Sequence, residues 1–147
     1  MAITGLTLAP ANVIMRIGVV SVSTDGTTYY TVGMAKNIKI TAKPIAQVDN
    51  VKSNKTVGYT IMASWQMMQT SNTDAVMTLH NAVNASKLYV KILNSITNIK
   101  RVLGPAFMQL DETNLDFDGG ESYVKGSMNY ITDPTTAQGI IAGATGP

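Results

Sequence analysis

Histidine and a run of acidic side chains are the residues of this chain best suited to chemistry. There is one histidine, His80, and no cysteine. A thiolate nucleophile therefore lacks its essential group, a Cys- or His-rich metal site lacks its ligands, and a serine–histidine hydrolytic site would have to be built around His80 alone, for which no partners are signalled. The acids gather in one stretch as Asp111, Glu112, Asp116, Asp118 and Glu121. Paired carboxylates could serve acid–base catalysis or hold a calcium ion. Their spacing is not that of an EF-hand loop, because the glycines fall in the wrong places and no bidentate glutamate is positioned downstream. Acids beside Gly119-Gly120 read instead as solvated residues at a hairpin mouth. The isolated glycines Gly5, Gly18, Gly33 and Gly58 form no phosphate-binding pattern. These features point away from an enzyme, and no cofactor or metal is expected.

Composition narrows the class further. A chain of 147 residues is long enough for one domain with a real core. Charged residues make up only 14%, against a usual ~25%, while hydrophobic residues stay at 45%. The surface must then be built from Thr, Ser, Asn, Gln and Ala, with nine methionines adding adaptable apolar area. So little charge suits a subunit covered by copies of itself better than a solitary monomer. Net charge is +2, too small to mark a nucleic-acid binder. No apolar run reaches the length of a membrane span, and a basic leader followed by an apolar core is not seen at the start.

The elements are organised around Thr56 to Thr70, TVGYTIMASWQMMQT. Val57, Tyr59, Ile61, Ala63, Trp65 and Met67 alternate with more polar neighbours, the period of a long strand with one apolar face. Met1 to Ala11 reads as an arm, and Asn12 to Ser23 as a strand with apolar residues on both faces. Asp25-Gly26 signals a two-residue turn, placing Val22 opposite Tyr29 and Val19 opposite Val32. Lys36 to Lys43 alternates, with Ile38, Ile40 and Ala42 inward and Lys36, Lys39 and Lys43 on the wet face; Pro44 ends it. Asp74 to Ala85 spaces Val76, Leu79 and Val83 as an amphipathic helix, started by Asn72 or Thr73. His80 falls beside that stripe, a boundary position. Lys87 to Leu93 is a strand, Asn94 to Gly104 is ambiguous, and Ala106 to Asp118 is extended. Gly119-Gly120 reads as a second tight turn, aligning Leu115 with Val124, before a last strand from Glu121 to Thr132. The Ala/Gly/Thr-rich tail 133–147 is expected to be loosely held.

One connection is conspicuous. Ile45 to Asn54, IAQVDNVKSN, is a loop longer than a hairpin needs, with Ile45, Val48 and Val51 beside Asp49, Lys52 and Lys55. The aliphatics predict an apolar side that packs on another subunit, and the charges would set its register. These six form the predicted assembly interface. The predicted core is Tyr59, Ile61, Trp65, Val76, Leu79, Val83 and Val90.

Three stretches together resemble the tail tube proteins of long-tailed bacteriophages and related tube proteins of contractile injection systems. They are the strand–loop–strand unit GMAKNIKITAKPIAQVDNVKSNKTVGYTIMASWQM, the helix TDAVMTLHNAV leading into KLYVKIL, and the closing MQLDETNLDFDGGESYVKGSMNYI. The resemblance implies a mainly β fold of two packed antiparallel sheets, a sandwich or partly closed barrel, with one flanking helix at about 74–85. It also implies a single domain over 1–147, six-membered rings stacked into a tube, and the long loop reaching the adjacent ring. Implied partners are copies of itself and other tail proteins (sheath or terminator, baseplate, tape measure), with DNA as passing cargo. The protein would be made in a host bacterial cytoplasm and end in the virion. Lys36, Lys39 and Lys43 depart from the neutral or acidic lining expected of a DNA channel. Another virion component, whether tail-completion, connector or capsid-decorating, remains the alternative, as does a β-sandwich adhesin. The adhesin is disfavoured by aromatics of only 6%.

Overall fold

The computed structural model describes residues 18–48, 51–68, 73–120 and 122–146, the side chains of residues 68 and 73–78 excepted. The arm 1–11, the start of the first strand, and Asp49, Asn72 and Glu121 lie outside the described residues, as do the side chains of Thr73, Asp74 and Val76. The strands are β1 (Gly18–Ser23), β2 (Tyr30–Val48), β3 (Asn54–Met68), β4 (Leu88–Asn94), β5 (Ile99–Ala106), β6 (Met108–Asn114), β7 (Tyr123–Thr132) and β8 (Ala144–Thr145). Among the described residues two helices interrupt them, α1 (Thr73–Ala85) after β3 and α2 (Pro134–Ala142) after β7.

The fold is mainly β. All eight strands share one antiparallel sheet in the order β6-β7-β3-β2-β1-β4-β5-β8, which is not closed. Phe107 alone joins β5 to β6, yet these strands lie near opposite ends of that order. A one-residue link spans at most ~7 Å between its flanking residues, so the sheet must curl until its two halves face each other. A bond from the Gly104 N–H of β5 to the Tyr130 hydroxyl of β7 spans the gap at 2.9 Å. The two packed layers implied by the resemblance are thus the halves of a single curled sheet.

The alternating side chains of β3 explain what fills the interior. Ile61, Ala63, Trp65 and Met67 are buried, while Ser64 is exposed. They share one core with Val124 and Met128 of the adjacent β7, Met108 of β6, and Val20, Leu88, Val90 and Leu103 of the other half of the sheet. Trp65 lies over Gly126 of β7, where a side chain would have its Cβ 2.6 Å from Trp65 Nε1. Leu79 and Val83 of α1 are also buried. The opposite face of β2, β3 and β7 is polar, with Lys39 against Ser64, Lys43 against Thr60 and Gln66 against Lys125.

Three local readings of the sequence are corrected. The first turn is not a two-residue hairpin: Val22 pairs with Tyr30 and Val19 with Met34. Asp25 accepts from the Thr27 and Thr28 N–H groups at 2.9 Å and from the Ser23 hydroxyl at 2.8 Å, which builds a wider loop. The Gly119-Gly120 turn is likewise a loop of residues 115–122, with Thr113, not Leu115, opposite Val124. The Asp116 side chain accepts the Asp118 N–H at 2.8 Å and Ser122 Oγ accepts the Asp116 N–H at 3.0 Å, closing that loop on itself. Pro44 does not end its strand. Pro44 pairs with Tyr59 of β3, and among the described residues no strand lies on its other side, a setting that accommodates proline.

The tail 133–147 is also more ordered than its composition suggests. Asp133 caps α2 by accepting the Thr136 N–H at 3.1 Å, Pro134 occupies the first turn, and Gly143 ends the helix at φ 74°. Ala137 and Ile140 are buried. Arg101 donates from Nε to the Ile140 carbonyl at 3.0 Å, and β8 adds to β5.

Candidate assembly surface

The predicted loop 45–54 is mostly strand. β2 and β3 pair onward through Ile45 with Gly58, Ala46 with Thr56, Gln47 with Lys55 and Val48 with Asn54. Only residues 49–53 connect them. β7 accompanies β3 no further than Tyr59, opposite Thr132. Among the described residues β2 and β3 run on beyond that pair as a two-stranded ribbon, Ile45 to Val48 against Asn54 to Gly58, roughly 15 Å at the rise of a β-strand. Val57 is the extra residue of β3 between the Ile45–Gly58 and Ala46–Thr56 pairs, a bulge at the base of the ribbon.

The ribbon changes how the predicted interface is arranged. Ile45 and Val48 are three apart in an extended strand and so point to opposite faces. The single apolar side expected of a loop is therefore not formed. Ile45 sits half-buried at the base, its Cδ1 3.8 Å from where a Cβ on Gly58 would lie. Val48 (64% exposed) and Val51 (80%) stand at the far end. Lys52, held at φ 61°, and Lys55 are exposed beside them. Two more exposed aliphatics lie near the base of the ribbon, Val57 at the bulge and Ile131 beside Thr60 on the otherwise polar face. Neither Val57 nor Ile131 was in the predicted set, although Val57 beside a glycine in the long strand was the visible clue.

Of the predicted core, Ile61, Trp65, Leu79, Val83 and Val90 are buried and Tyr59 is half-buried. The structure brings Ile61, Trp65 and Val90 together in the interior of the curl, with Leu79 and Val83 reaching it from α1.

The chemistry-bearing residues are dispersed. His80 is half-exposed in an open recess with Val83, Asn84, Met108 and Asp111. Glu112 pairs with Lys125 at 3.2 Å and accepts the Tyr123 hydroxyl. Among the described residues no three His, Asp or Glu side chains are close enough to hold a metal ion. The perturbed acids serve loops and caps. Asp25 is held well below the usual carboxylate range by the Thr28 and Thr27 N–H groups and the Ser23 hydroxyl. Asp133 is lowered by the Thr136 hydroxyl and N–H. Burial raises Tyr130, offset in part by the Gly104 N–H. No helix among the described residues is long and apolar enough to cross a membrane.

No protein-family model matches the chain, and no curated protein does. Among solved structures, the chain is similar to one from the tail of an empty gene transfer agent particle, computed with helical refinement in C6 symmetry. The identity is 7% and the TM-score 0.45, over 78% of this chain and 93% of that one.

Proposed function

We propose that this chain is a structural subunit of a phage-type tail, self-assembling into stacked, six-membered rings that form a conduit for DNA. The observation that carries this reading is the β2–β3 ribbon, which projects past the sheet with Val48 and Val51 at its end. A solvated hairpin gains nothing from aliphatic side chains at its tip, and an isolated two-stranded ribbon is marginal in water. Contact with another subunit removes those side chains from water and offsets the cost of ordering the ribbon. The low charge of the chain agrees, since a surface destined for neighbours needs few solubilising groups.

The lysines of the polar face constrain the arrangement. Lys36, Lys39 and Lys43 share it, and phosphates would bind such a row if it lined the channel. On this reading that face turns away from the lumen or is neutralised by a neighbour. Other tail proteins would meet the two ends of the tube, and the protein would reside in the virion.

The test shortens the ribbon without disturbing the sheet. Replacing Ala46–Val57 by Asn-Gly places a two-residue turn directly on the Ile45–Gly58 pair. The expected product is folded by circular dichroism and forms no tubes under negative-stain microscopy. Tubes of wild-type length from the shortened protein would refute the reading, as would a wild-type chain that stays monomeric at high concentration.

A further inference from the structure

β3 sets up two unlike ends. The ribbon tip leaves at its Asn54 end, while β7 runs alongside from Thr132 at Tyr59 to Tyr123 at Met68. The loop 115–122 that precedes β7 therefore emerges at the Met68 end. Fourteen residues of strand rise separate these ends, roughly 45 Å. That loop exposes Phe117 almost completely (91%) and Leu115 by more than half (56%). Its own hydrogen bonds, Asp118 N–H to Asp116 and Asp116 N–H to Ser122, hold the loop shape without tucking Phe117 inward. Asp116 and Asp118 flank the ring.

We propose that this loop seats the ribbon tip of a second copy, so that rings stack head to tail along β3. This rests on the stacked-ring reading above and names the surface that receives the ribbon. The occupant follows from complementarity. The tip offers Val48 and Val51 with Lys52 and Lys55, which outnumber Asp49 of the same stretch; the loop offers Leu115 and Phe117 with Asp116 and Asp118. Aliphatic meets aromatic, and cation meets carboxylate. Glu112 and Asp25 are less suitable partners, since Glu112 already bridges Lys125 and the Asp25 carboxylate accepts three hydrogen bonds within its own loop, against the one from Asp118 N–H that Asp116 accepts. Unlike surfaces at opposite ends make a heterologous contact, which repeats without closing along its own axis. Steering by opposite charges gives the contact its salt dependence and its register.

The experiment exploits that polarity. Lys52→Asp with Lys55→Asp reverses the tip, and Asp118→Lys offsets Asp116 and so neutralises the loop while leaving the backbone bond from residue 118 to Asp116 in place. The first variant repels its own loop and the second loses the attraction, and the sedimentable tube fraction of each should fall about tenfold or more. An equimolar mixture should regain part of the tube fraction, because the native tip of one variant then meets the native loop of the other. Phe117→Ser, checked for folding by circular dichroism, should lose tubes and keep single rings. The assignment is overturned if Asp118→Lys and Phe117→Ser both assemble like the wild type, if the mixture stays unassembled, or if rings are lost together with tubes. A wild-type protein that forms no tubes in the same assay would instead sink the stacked-ring reading itself.

Discussion

Gly126→Ala tests the contact that fixes the register of β3 against β7. An alanine Cβ at this position would lie 2.6 Å from Trp65 Nε1, 2.9 Å from Cε2 and 3.1 Å from Cζ2. Trp65 is only 2% exposed and ringed by core residues, so the indole cannot swing aside as a flexible side chain would. Burying one more methyl would contribute about 0.8 kcal/mol. Forcing it into a filled core costs typically 1–3 kcal/mol, so the net effect is a loss of up to about 2 kcal/mol. For a domain near this size each kcal/mol moves the midpoint by about 2–4 °C, so thermal melting followed by circular dichroism should show a drop of up to about 8 °C. The cause is isolated by repeating the substitution in a Trp65→Phe background. The smaller ring leaves room, and it also removes an indole N–H that is buried without a partner among the described residues. Gly126→Ala should then cost little, giving a coupling of about 1 kcal/mol or more. An unchanged midpoint in the wild-type background, or an equal loss in both backgrounds, would refute the steric argument.

Leu79→Asp would put a carboxylate into the buried contact of α1 and should abolish folding or assembly; a variant that melts and assembles like the wild type would show that α1 is not held by this face. Asp25 gives a pH signature. Its carboxyl is depressed in the folded state, so its contribution is full above the ordinary carboxylate pKa of ~3.9 and fades as pH falls through the lower folded value. Asp25→Asn should therefore lower the urea midpoint at pH 7 and narrow the gap to the wild type below pH ~4; a gap that is constant with pH would rule out the charged hydrogen bonds as its source.

Legibility in the sequence followed the range of the signals. The period of β3 and the three- and four-residue spacing of α1 are local patterns that survive any tertiary arrangement, and both elements lie where those patterns place them. Turn chemistry was less transparent. Asp-Gly and Gly-Gly suit tight hairpins, but Asp25 and Asp116 each use a carboxylate to organise a wider loop, and that preference overrides the glycine signal. Pro44 was misleading because its cost depends on whether a strand lies on both sides, which only topology decides. The helix α2 carried a readable start at Asp133-Pro134 and a stop at Gly143, obscured by the Ala/Gly/Thr composition around them. The resemblance implied two packed layers or a partly closed barrel, but no local pattern showed that a single curled sheet makes both. The curl is imposed by the single residue between β5 and β6, whose partners lie far apart in the strand order.

The ribbon and the loop are the same kind of liability in a solitary molecule. Each exposes large apolar groups at a hairpin end, in a chain with few charges to oppose association. What separates a hazard from a function is geometry. Apolar patches scattered over a surface lead to aggregates without order, whereas two unlike patches at the two ends of one strand axis can satisfy each other only by end-to-end addition. Register then has to be set by something directional, because aliphatic contact alone tolerates sliding. The lysines of the tip and the aspartates of the loop supply that constraint at the rim of the proposed contact, where charge governs specificity and rate more than affinity. On the proposed reading the composition of the chain and the shape of its sheet have one physical cause: a subunit that meets other copies through apolar surface at its two ends, and whose further exposed side chains, Met34, Phe107, Ile131 and Ile141, are left for contacts within a ring.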